Sequence, residues 1–218
     1  MIASEEALAD WGLPTCFAAL RAPRIDDDAR LPRDELLRLV EGARAGDRDA
    51  RQHLYEQHVD RVFRTVRGIV RSDADAEDIT QDAMLTMLTS LHRYTPRPDA
   101  SFAAWVMTIA LNTARRRFRR RRPELTVTGD LPDRPADAMD LDEDLDRARR
   151  RRVLLAALAE LPDKERAVVC LRYGAELNAT DIGVTIGMTP AAVRKLLERS
   201  RARLGARMTD LLGVAELR

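Results

Sequence analysis

The chain has 218 residues, of which 45% are apolar, 4% aromatic and 33% charged, with ten Gly, ten Pro and two Cys. Those numbers suit a soluble protein of one or two domains, and the scarcity of aromatics, Gly and Pro argues against a β-sandwich or barrel built on many tight turns. No apolar run reaches the roughly eighteen residues that cross a bilayer; the longest, Phe102 to Leu111, has ten and includes a Thr.

The first residues, Met1-Ile2-Ala3-Ser4-Glu5-Glu6, lack a basic stretch followed by an apolar core. Neither a signal nor a transit peptide is expected, and the chain is placed in the cytoplasm. Cys16 and Cys170 lie far apart without a CxxC partner, which predicts two small buried hydrophobes rather than a disulfide framework or a zinc knuckle. The net charge of +1 conceals opposed blocks of −4 over 1–36, +6 over 37–123, −8 over 124–146 and +7 over 147–218. Two basic segments around an acidic, turn-bearing one (Gly129, Pro132, Pro135) suggest two domains on a flexible, extended linker, each able to meet a polyanion.

In chain order, residues 1–30 hold at most one short amphipathic helix around Trp11, Leu13, Phe17 and Leu20. From Asp34 the apolar spacing turns helical through Leu36, Leu37, Val40 and Ala43, and stops at Gly46. Asp47 caps a second helix that buries Leu54, Val59, Val62, Phe63, Val66 and Val70. A third follows Ser72 and Asp73 with Ile79, Ala83, Met87, Leu88 and Leu91 inside, and is expected to end near Tyr94. The fourth opens after Ser101, carries Phe102, Trp105, Val106, Ile109 and Thr113 as one stripe, and runs into Arg115 to Arg122, where seven of eight residues are Arg. The second half begins near Leu145 with Val153, Leu154, Ala157 and Leu158, and Pro162 opens the next helix. Two short helices follow: Asn178 caps one that ends at Gly187, and Thr189 caps another that starts at Pro190 and buries Val193, Leu196, Leu197 and Leu204. This is helix-turn-helix spacing.

In such a motif the second helix enters the major groove, and its outer face here offers Arg194, Lys195, Glu198, Arg199, Arg201 and Arg203. Arg and Lys can donate to guanine or phosphate and Glu can accept from cytosine, so direct readout is chemically available; the bland alternative is a solvated charged face. The Arg run predicts salt-dependent binding to phosphates. The aromatic-bearing helix that feeds it resembles a device for stacking on or prising open a duplex. Asp75, Glu77, Asp78, Gln81 and Asp82 make an acidic face that phosphate would repel, and which suits a basic protein partner or simply the helix dipole. Catalysis finds no support: His53, His58 and His92 form no metal pair, and neither a phosphate loop, Gly-x-Ser-x-Gly nor HExxH is present.

Over residues 34–208 the chain resembles bacterial sigma factors of the extracytoplasmic-function group. Asp75-Ala76-Glu77-Asp78-Ile79-Thr80-Gln81-Asp82 is similar to the region 2 signature, Phe102-Ala103-Ala104-Trp105 through the Arg run to the minus-ten segment, and Leu158 to Leu204 to region 4. The resemblance implies an all-α fold of two small helical domains, a four-helix sigma region 2 over 34–123 and a helix-turn-helix region 4 over 147–208. A flexible acidic linker over 124–146 joins them, an extension precedes them over 1–33 and a tail follows over 209–218. It implies an alternative sigma factor without cofactor, metal or enzymatic chemistry, whose partners are core RNA polymerase (β′ clamp helices and β subunit), promoter DNA and an anti-sigma factor.

By the same resemblance Asp75, Glu77, Asp78, Gln81 and Asp82 bind polymerase. His92, Arg93, Trp105, Asn112, Arg115, Arg116 and Arg119 meet the minus-ten DNA, with loop 92–100 receiving an unstacked base. Ala191, Ala192, Arg194, Lys195, Glu198 and Arg199 face the minus-thirty-five groove. Leu196, where the family commonly has a basic residue, Glu198 and Arg116 depart from its pattern. The competing readings are a helix-turn-helix regulator, for which the acidic face has no use, and a sigma-like adaptor that binds polymerase without melting promoters.

Overall fold

The computed structural model describes residues 32–70, 72–121 and 141–216, with side chains described except at 120–121, 141–147 and 212–216. The short helix expected within 1–30 and most of the acidic linker lie outside these residues. Eight α-helices follow in order: α1 Arg33–Arg44, α2 Arg48–Ile69, α3 Asp73–Thr89, α4 Phe102–Arg121, α5 Leu141–Glu160, α6 Asp163–Tyr173, α7 Ala179–Ile186 and α8 Pro190–Glu216. A 3-10 turn, Leu91–Arg93, lies between α3 and α4. Among the described residues the only extended pairing is an isolated bridge between Arg97 and Ala100.

The local signals place the helix starts. Asp47 accepts from the backbone N–H of Asp49 and Ala50, Ser72 from Asp75, Ser101 from Ala104, Asn178 from Asp181 and Thr189 from Ala192. Each cap satisfies a backbone donor that the first helical turn leaves unpaired. Four boundaries differ from the sequence expectation. Pro162 sits at the N-cap of α6 rather than inside it. α5 begins at Leu141, within the expected linker. α8 continues through Glu216, because Leu204 and Met208 pack on Val153, Leu154 and Leu158 of α5. α3 also stops at Thr89 rather than near Tyr94. Arg44, reaching over from α1, donates to the carbonyl oxygens of Leu91 (2.9 Å) and Tyr94, and the chain between them tightens into the 3-10 turn.

The central helix is α2, whose Leu54, Val62 and Val66 are fully buried between α1, α3 and α4. The same apolar cluster continues into Val168 and Leu171 of α6, Ile182 of α7 and Val193, Leu196 and Leu197 of α8. The two helical units expected from the sequence are therefore present and packed on each other. Polar contacts reinforce the junction: Arg151 of α5 forks Asp73 (both 2.9 Å), which also takes Arg67, and Arg61 and Arg64 of α2 face Glu176 at 3.7 and 3.8 Å. Asp181, already tied to its own helix cap, also accepts from the backbone N–H of Ser101 at 2.8 Å. A carboxylate of one unit thus caps the basic helix of the other.

Candidate polymerase and nucleic-acid interface

On α3 the helical period separates buried Ala76, Ile79, Ala83, Met84 and Met87 from an outer face holding Glu77, Asp78, Gln81 and Asp82. Asp75 differs from its neighbours. Its side chain is only 14% exposed, and Arg117 of α4 crosses to it (Nε to Oδ1, 3.2 Å) and also donates to Asp78, which is 54% exposed. The sequence reading missed two residues here. Leu85, 63% exposed, continues the outer stripe Asp78–Gln81–Leu85 and adds an apolar contact to it. Arg117 was hidden in a run of identical residues, and only its two-residue offset from Arg115 and Arg119 marks a different direction.

The expected minus-ten residues lie on two elements, the 3-10 turn and α4. His92 and Arg93 are exposed on the 3-10 turn, where Arg93 Nε donates to His92 Nε2 at 3.2 Å. Asn112, Arg115, Arg116 and Arg119 are exposed along α4, with Arg115 donating to Asn112 (3.3 Å) and Arg116 to Thr113 (3.3 Å). Trp105 is half-buried: its ring lies 5.2 Å from Tyr94 and 5.4 Å from Phe102, which meets Tyr94 edge-on and His58 at 5.1 Å. Such aromatic packing adds stability to the start of α4, so most of this ring braces the helix rather than projecting as a free wedge.

In the helix-turn-helix, Leu196 is buried, while Ala191, Arg194, Lys195, Glu198 and Arg199 face solvent and Ala192 is half-buried. Arg199 and Arg203, one turn apart, converge on the buried carboxylate of Glu165 at 3.4 and 3.0 Å, which fixes α8 against α6. Between the two units a cleft of about 600 Å³ is bordered by Leu111, Arg115 and Phe118 of α4 and by Ile186, Gly187 and Met188 of the turn. Cys170 is buried, and burial pushes its thiol up to about 12, which keeps it unreactive.

The sequence profiles of Sigma-70 region 2 and Sigma-70, region 4 match residues 54–124 and 157–205, covering α2 from Leu54 through α4 and α5 from Ala157 into α8. RNA polymerase sigma factor CarQ of Myxococcus xanthus is 33% identical over 178 residues, 82% of this chain and 98% of that protein. ECF RNA polymerase sigma factor SigE of Mycolicibacterium smegmatis is 31% identical over 210 residues, 93% of this chain and 79% of that protein.

The chain belongs to the ECF sigma factors of RNA polymerase.

As a member of that family this sigma factor binds core RNA polymerase and directs transcription initiation at a specific promoter set, which decides against a plain helix-turn-helix regulator. Sigma factors are transcription factors and in general not enzymes. Two solved structures share the fold: CnrH in complex with the cytosolic domain of CnrY has a TM-score of 0.58 at 22% identity, covering 79% of this chain and 96% of that one. The sigma factor RpoE with the anti-sigma factor NepR from Bartonella quintana has a TM-score of 0.51 at 19% identity, covering 83% and 96%. No described helix is long and apolar enough to cross a membrane.

Proposed function

We propose that this sigma factor docks on the β′ clamp helices through Glu77, Asp78, Gln81, Asp82 and Leu85, with Asp75 acting from below through Arg117. The β subunit completes its seat on polymerase. The minus-ten strand lies along α4, met by Asn112, Arg115, Arg116 and Arg119, while His92, Arg93 and the loop to Ala100 receive an unstacked base beside Trp105. The minus-thirty-five groove receives the first turns of α8, through Ala191, Ala192, Arg194, Lys195, Glu198 and Arg199. The protein works in the cytoplasm without a cofactor, contributes no covalent chemistry, and is inhibited by an anti-sigma protein, as CnrY and NepR accompany the two solved relatives.

The observation that carries this reading is the exposed acidic face with an exposed Leu at its end, on a body whose α4 and α8 are rich in outward Arg. A surface that only sought DNA gains nothing from it, since carboxylates and phosphates repel. The test adds the purified protein to core polymerase on fragmented genomic DNA of its host and sequences transcript 5′ ends. Discrete new starts are expected. Asp78→Lys with Gln81→Lys should abolish them, weaken core binding by about 10- to 100-fold, or ~1.4–2.8 kcal/mol, and leave DNA binding intact. Unchanged core affinity in that variant would remove α3 as the dock.

A further inference from the structure

Glu165 belongs to α6 but serves α8. It is the third residue of α6, the position from which a glutamate ordinarily turns back to bond the N–H of the N-cap residue. The N-cap here is Pro162, which has no N–H to give. The carboxylate, only 6% exposed, meets Arg199 Nε at 3.4 Å and Arg203 Nη1 at 3.0 Å instead. Those two arginines follow Lys195 at i+4 and i+8, a column of like charges that repel one another along the face of α8. A buried carboxylate beneath the last two offsets the repulsion and fixes where their heads lie.

The two are not held alike. Arg203 donates to Oε2 through a terminal Nη and is 50% exposed, whereas Arg199 turns its Nε edge to Oε1 and keeps 65% of its side chain in solvent. The two terminal Nη groups of Arg199 are thus the edge left for a ligand. Paired donors of that kind match O6 and N7 of guanine, and a long side chain already held at its inner edge has less freedom to lose on binding.

We propose that Glu165 is a positioning residue for sequence recognition. From beneath α8 it sets Arg199 as a fixed fork for one guanine of the minus-thirty-five element, while its bond to Arg203 keeps that second arginine on the protein. The inference rests on α8 entering the groove, and it adds to the specificity of the helix-turn-helix a residue that lies outside it.

The experiment uses holoenzyme and a fluorescein-labelled duplex carrying the upstream element of a mapped start site, with anisotropy read for the parent sequence and for each single base-pair change. Arg199→Ala should flatten the profile at one G·C pair, where a change costs wild type about 10- to 100-fold. Glu165→Gln, equal in size, should lower the penalty at that same pair several-fold and leave the other positions, and affinity for a random-sequence duplex, as in wild type. Arg203→Met removes the other tie between α6 and α8 but keeps Arg199 on Glu165. It should lower the urea midpoint as Glu165→Gln does and retain the wild-type base profile, a separation that a merely structural carboxylate would not produce. An unchanged profile in Glu165→Gln, or the same flattening in Arg203→Met, would overturn the proposal. If Glu165→Gln does not fold, Arg199→Lys decides, because it keeps the charge and loses the fork: retained discrimination at the pair overturns the proposal, and lost discrimination with unchanged random-duplex affinity supports it. A profile altered by Arg194→Ala but not by Arg199→Ala overturns the proposal alone. A profile altered by neither, nor by Lys195→Ala, overturns the entry of α8 into the groove and the proposal with it.

Discussion

His58 shows how burial alone sets a residue's chemistry. It lies on α2 against Phe102, its Nδ1 has no hydrogen-bond partner among the described residues, and desolvation, helped by Arg61, pulls its pKa down from 6.5 to about 3. The folded state therefore keeps this ring neutral, while the unfolded chain takes up a proton below pH 6.5. Stability from this group is complete above about 6.5 and declines as pH falls toward 3. Between pH 7.5 and 5.5 the loss should be about 1.4 kcal/mol, read by urea unfolding at the two pH values, and His58→Leu should lack that increment. A variant with the same pH dependence as wild type would show that the ring is hydrated in solution. The histidine is legible in the sequence only as one that fails to form a metal pair; its neutrality comes from neighbours 44 residues away.

Among the elements, the α7–α8 turn owes its geometry to two glycines in different ways. Gly187 adopts φ +73°, a left-handed conformation that costs any residue with a Cβ about 1 kcal/mol. Gly183 is ordinary helix, but a Cβ there would stand 2.5 Å from the backbone carbonyl oxygen of Met188, which folds back over it. Backbone cannot yield as a side-chain tip can, so Gly183→Ala must shift α8 relative to α7. We expect Gly187→Ala to cost about 1 kcal/mol with DNA binding nearly intact. Gly183→Ala should cost more and weaken minus-thirty-five binding disproportionately, measured by urea unfolding and by anisotropy on a duplex from a mapped start site. The reverse order would mean that the turn is not held by this contact. Gly187 is readable from sequence as a helix stop, whereas Gly183 looks like a mere weak point in a helix, because its constraint arises only when the chain turns back.

For the whole molecule, the shared core sets a limit on function. A body of about 160 residues has a radius of gyration near 15 Å and so a diameter of roughly 40 Å. Promoter elements some 25 base pairs apart lie about 85 Å from each other along B-DNA at 3.4 Å per pair. The arrangement seen here cannot reach both at once, and the contacts of Asp181 with Ser101 and of Arg151 with Asp73 must break on the promoter complex. Fluorophores on Thr89→Cys and Ala206→Cys, both exposed, in a chain with Cys16→Ser, should transfer energy efficiently in the free protein and lose transfer on core binding. Cys170 stays unlabelled in its buried site. Constant transfer throughout would mean that the two units never separate.

The sequence by itself determined the helices, their caps at Asp47, Ser72, Ser101, Asn178 and Thr189, the helix-turn-helix and the acidic and basic faces, because periodicity and capping act within a few residues. Only the tertiary structure decided that Trp105 packs on Tyr94 and Phe102, that Arg44 bonds the 3-10 turn after α3, that Arg117 reaches across to Asp75, and that the two units share a core. Most of these depend on a partner tens of residues away, and neither composition nor local spacing records which distant side chain will occupy a given carboxylate, carbonyl or apolar face.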